Sequence, residues 1–152
     1  MDIEQLLATI RGLPGVLHLN PTAGSDHPEV SWGDHFFYYA PDGRVPERTQ
    51  PYATIVTKDY PGDTLSELDP PGRWRVNIAV GRARFIELTG TEPRDAGASS
   101  YRTADVILPH PVYASAGWIA VVNPGDATSD TVVQLVRAAH ADAERRAARR
   151  RR

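Results

Sequence analysis

The chain has no cysteine. That excludes disulfides, thiolate nucleophiles and every cysteine-held zinc or iron–sulfur centre. It also lacks a long apolar run, so no stretch reads as a membrane-spanning helix. The start, Met1-Asp2-Ile3-Glu4, is acidic and has neither the basic beginning nor the apolar core of a signal peptide. The expected setting is therefore the cytoplasm. The phosphate-binding P-loop, the dinucleotide glycine fingerprint, the H-E-x-x-H zinc helix and the nucleophile elbow are all missing. The sequence calls for no cofactor and no metal. Lysine is nearly missing too: Lys58 stands alone among 17 basic residues.

What is present fits one folded domain. The chain is 152 residues long, 41% hydrophobic and 24% charged. Charge is unevenly placed. Six arginines lie in Arg145–Arg152, which leaves 11 basic residues against 19 acidic ones in residues 1–144. The body then carries −8 and the tail +6. Residues 1–144 read as a single domain and 145–152 as a basic tail. An acidic body repels phosphate backbones, so nucleic acid is expected to associate only weakly, through the tail. The plainer alternative is a solvated helix end, with arginines at the negative pole of the helix dipole.

Asp2 is placed to cap a helix whose apolar face is Ile3, Leu6, Leu7 and Ile10, with Gly12 ending it. Val16–Leu19, His35–Tyr39 and Tyr52–Lys58 read as strands. The clearest strand follows: Trp74, Val76, Ile78 and Val80 alternate with Arg75, Asn77 and Ala79, which predicts one core face and one polar face. Gly81–Thr89 reads as a short helix, Asp105–Leu108 and Trp118–Val122 as strands, and the segment after Thr128 as a last helix. One helix lies between strands, and parallel strands need a crossover each. The expected class is α+β: a twisted antiparallel sheet with an N-terminal, a short middle and a C-terminal helix.

The runs Trp32-Gly33-Asp34-His35-Phe36-Phe37-Tyr38, Ala53-Thr54-Ile55-Val56-Thr57-Lys58-Asp59-Tyr60 and Leu108-Pro109-His110-Pro111-Val112-Tyr113 resemble an uncharacterised actinobacterial family of small proteins. So does Arg75–Arg82. More distantly, the element order is similar to that of the MmcQ/YjbR-like proteins, which implies a compact α+β fold. Some members of that group are described as DNA-binding-like by fold. Their late hairpin tends to carry basic residues near its tip, whereas Ala114-Ser115-Ala116-Gly117 carries none.

Several side chains are candidates for chemistry. His27, Asp34 and His35 have metal-ligand character, but adjacent strand residues face opposite ways and the spacing matches no known site. His110 is held between two prolines, which suits either acid–base work or a rigid connector. Lys58 offers a compact ammonium where a guanidinium would not fit. Arg75 and Asn77 share one strand face, so with Lys58 they could converge on an acidic or amide-bearing ligand. Trp32 and Trp118 frame the same region. The Phe36–Tyr39 run must bury one face, and a homodimer over Phe37 and Tyr39 is one expected use of the other.

The leading expectation is a small binding or accessory domain for an unknown small molecule or protein. Its site would be an open sheet face and the His110–Trp118 hairpin, lined by Trp32, Lys58, Arg75, Asn77, His110 and Trp118. The alternatives are an enzyme with His110 as acid–base group and Lys58 or Arg75 as anion clamp, and weak nucleic-acid association through the tail.

Overall fold

The computed structural model describes residues 1–150. The first helix, α1 (Ile3–Arg11), starts at a reciprocal cap: the Asp2 side chain accepts from the Gln5 amide and Gln5 answers the Asp2 amide. Leu6, Leu7 and Ile10 are its buried face. The strands are β1 (Val16–Leu19), β2 (His35–Tyr39), β3 (Ala53–Val56), β4 (Arg75–Ala79), β5 (Leu108–Pro109) and β6 (Trp118–Val122). Between β4 and β5 lies α2 (Gly81–Thr89), which Gly90 ends in the left-handed region at φ 74°. The last helix, α3 (Ser129–Arg150), closes the chain.

All six strands form one antiparallel sheet in the order β1-β2-β3-β4-β6-β5. The α+β class and the three helices stand as the sequence predicts. One row of side chains, Phe37, Ile55, Val76, Ile78, Ile119 and Val121, packs under α1, α2 and α3 to make the core. Burial of such side chains contributes roughly 1.5–3 kcal/mol each.

Three expectations need correcting. The polar face of β4 is not solvated: Arg75 is 2% and Asn77 3% exposed. The loop between β3 and β4 folds over it and supplies its partners. Phe37 is fully buried in the core, so Phe36 and Tyr38, not Phe37 and Tyr39, occupy the half-exposed face. Tyr39 instead packs edge-on against His140. Finally, the Asp105–Leu108 strand shrinks to Leu108–Pro109, because Asp105, at φ 58°, is turned to accept hydrogen bonds from Gly125, Ala127 and Thr128 ahead of α3. Those bonds lower its carboxyl to about 2.

Arg145, Arg146, Arg149 and Arg150 continue α3 without a break. Arg151 and Arg152, the end of the basic tail, lie outside the described residues. No helix among the described residues is long and apolar enough to cross a membrane.

Candidate functional site

Two polar clusters occupy the sheet face opposite the helices, and they divide the predicted residues between them. The first is built around Arg75. From β4 its guanidinium reaches the β3–β4 loop, where it holds Asp63 through two parallel bonds of 3.0 and 2.6 Å. It also donates to Ser66 Oγ at 2.9 Å and, through Nε, to Asn77 Oδ1 at 2.7 Å. Asn77 passes the chain to Thr54 Oγ1 on the neighbouring strand. A buried guanidinium is tolerable only when its donors are matched like this. Burial pushes the Asp63 carboxyl up, but the bidentate bonds and charge of Arg75 win and hold it below the usual carboxylate range.

His110 closes this cluster. Its Nδ1 accepts the backbone N–H groups of Val112 and Tyr113, both at 3.0 Å, in the tight turn that the two flanking prolines favour. A neutral imidazole that accepts at Nδ1 carries its proton on Nε2. That proton faces the Arg75 guanidinium, 3.3 Å away from Nε2. Two donors face each other there, so the contact repels rather than bonds. Burial first, and the Arg75 charge second, push His110 down to about 3. The residue is neutral at pH 7. Its ring packs 5.0 Å from Tyr113 and edge-on to Trp118.

The second cluster surrounds Asp34, which is fully buried. It accepts from the Thr57 amide and hydroxyl, from Lys58 and, at 2.5 Å, from the Tyr60 hydroxyl. Burial and that bond together push the Tyr60 phenol well above its usual value. Lys58 spends all three of its N–H groups here, on Asp34 Oδ2 and on the carbonyls of Val30 and Trp32. Trp32 lies in the same loop, and its indole N–H bonds to the His27 carbonyl.

The structure therefore brings Arg75, Asn77, His110 and Trp118 together, and sets Lys58 and Trp32 apart from them. Lys58 does not converge on Arg75, because Asp34 takes its charge. Nor do His27, Asp34 and His35 gather: His35 Nδ1 pairs with His18 Nε2 at 2.8 Å, and Asp34 turns the other way. Among the described residues no three histidine, aspartate or glutamate side chains form a metal-binding group. The sequence candidates did not include Asp63, Ser66 or Thr54, which the structure places around Arg75 and Asn77. The signal for Asp63 was its place in a Pro- and Gly-rich loop joining two strands.

Large apolar side chains are exposed on the segments that hold this cluster. Leu65, between Asp63 and Ser66, is 57% exposed. Val112 and Tyr113, whose amides hold His110, are 44% and 56% exposed. These are three of the five exposed large hydrophobic side chains in the described residues. The cluster offers a hydrogen-bonded platform with an apolar rim, and no side chain in it is left free to act as a nucleophile.

Comparison with known proteins adds little chemistry to this geometry. No curated protein and no solved structure matches the chain. Its whole length, residues 1–152, matches DUF6194, described as a family of unknown function, and the chain belongs to that family.

Proposed function

We propose that this protein is a small binding domain that presents the apolar rim over the Arg75 cluster to a protein partner. The observation that carries the reading is the exposure of Leu65, Val112 and Tyr113 on the segments that hold one buried polar network. Scattered exposed hydrophobics mean little, but a group of them on a rigid support is the usual make-up of an interaction site. Tyrosine and tryptophan are favoured at the centres of such sites, and Tyr113 and Trp118 flank His110. Binding is favoured over catalysis because Arg75 is neutralised by Asp63 and because His110 is neutral with Nδ1 already engaged. A general acid near neutral pH needs a proton to give.

The test compares the full chain with Tyr113→Ser, Leu65→Ser and a control, Val45→Ser, whose site lies on the β2–β3 loop. Sedimentation at rising concentration reads self-association, and capture from a native lysate reads other partners. A species lost in the two rim variants and kept in the control supports the rim. An identical set of species in all four proteins overturns it.

A further inference from the structure

A second feature lies beyond the rim, where the tip of the same hairpin meets α2. There the first turn of α2, the turn at Pro93–Asp95 and the hairpin tip at Ala114–Gly117 enclose a cleft of about 460 Å³. This is the size of ordinary small-molecule sites. The geometry points to this cleft as a binding site for a small molecule bearing an oxyanion, a carboxylate or a phosphate group.

Three observations carry the assignment. The first is charge. Arg82 and Arg94 line the cleft against a single acid, Glu92. Arg94 has no ion-pair or side-chain hydrogen-bond partner among the described residues, although the body as a whole is acidic. The second is geometry. Glu92 already lies in the fork of Arg82, with bonds of 3.0 and 2.5 Å, so a carboxylate fits this wall bidentately. That pair is exposed on both sides, and exposed pairs are weak enough to exchange for a better-placed anion. The third is rigidity. The Gly117 carbonyl accepts the amides of both Val80 and Gly81. A Cβ added at Gly117 would come within 3.2 Å of Gly81 Cα, so the tip is seated directly on the α2 backbone. Ser115 adds an exposed hydroxyl to the wall. The backbone of the cleft is thus preformed, and the ordering cost of binding falls on the exposed side chain of Arg94.

The experiment follows backbone amide resonances of the full chain during titration with sodium phosphate and, separately, sodium citrate. Sodium chloride holds the ionic strength constant. The expected result is saturable shifts at Arg94, Ser115 and Gly117 with one or both anions. Affinity should fall by up to about fivefold in Arg94→Gln, the loss of one exposed charge pair. It should rise in Glu92→Gln, which frees Arg82. Saturation by phosphate alone assigns a phosphoryl group, and by citrate alone a carboxylate; either supports the site. Shifts that merely match those of chloride overturn it, as does an Arg94→Gln protein that binds as tightly as the parent. Tyr113→Ser should leave the titration unchanged, so this site and the apolar rim stand or fall separately.

Discussion

Acid should unfold this protein through His110 before its carboxylates are protonated. In the folded chain the imidazole is 3% exposed, faces Arg75 and is pushed down to about 3. In the unfolded chain it returns to its ordinary value near 6.5. Between those values the unfolded state binds a proton that the folded state refuses. Stability is therefore complete above pH 6.5 and is lost as pH falls through that window. Well below 6.5 each pH unit costs about 1.4 kcal/mol, and a drop from 6.5, where the unfolded imidazole is half protonated, to 4.5 costs about 2.3 kcal/mol from this residue alone. The assay is urea unfolding of the parent and of His110→Asn at pH 7, 6, 5 and 4.5. Asparagine keeps an oxygen to accept from Val112 and Tyr113 but cannot titrate. His110→Asn should be the less stable protein at pH 7. Its deficit should shrink by about 2 kcal/mol by pH 4.5. His18, pushed down to about 4 by burial, then by His35 and Arg11, titrates in both proteins and cancels in the difference. A deficit that stays constant across the range would refute the claim that the fold holds His110 neutral.

Other outcomes follow from particular contacts. Lys58→Met should cost about 3 kcal/mol in denaturant unfolding, because it strands the buried Asp34 carboxylate. Lys58→Arg should not restore that loss, since a planar guanidinium cannot meet three acceptors arranged around one nitrogen. Gly117→Ala should lower stability by about 1–2 kcal/mol, through its φ of 84° and the close approach of Gly81; an unchanged melting temperature would show that the tip can shift at no cost. Replacing Arg145, Arg146, Arg149 and Arg150 by glutamine should weaken any retention on a heparin column at low salt. Undiminished retention would place a phosphate-binding surface on the acidic body instead.

Local signals in the chain led to correct elements. Asp2 with Leu6, Leu7 and Ile10 marked α1, and the alternation of Trp74–Val80 marked β4, because capping and strand periodicity are written within a few residues. What covers the far side of β4 is not written that way. Asp63 and Ser66 reach Arg75 from a loop without periodicity, and only the closure of the β3–β4 connection brings them there. Lys58 shows the same limit. Its being the sole lysine suggested a place that wants an ammonium. Its partner, Asp34, lies 24 residues earlier and becomes a neighbour only when β2 and β3 pair. For His110 the two prolines announced a fixed backbone, yet which nitrogen the Val112 and Tyr113 amides would claim depends on the turn itself.

Arg75 also bears on how the sheet is assembled during synthesis. β1 to β4 are neighbours in chain order, but β6, which pairs with β4, comes nearly 40 residues after it. While the chain is being made, β4 is thus an unprotected edge whose free amides and carbonyls invite pairing with other nascent chains. An arginine on that edge makes such pairing costly, and Asp63, only 12 residues away, can neutralise it within the same chain but not in an aggregate of strands alone. A fragment ending at Gly81 is expected to scatter less light than the same fragment carrying Arg75→Leu. The charge that lies silent beneath the finished surface would then serve chiefly as a guard on the unfinished one.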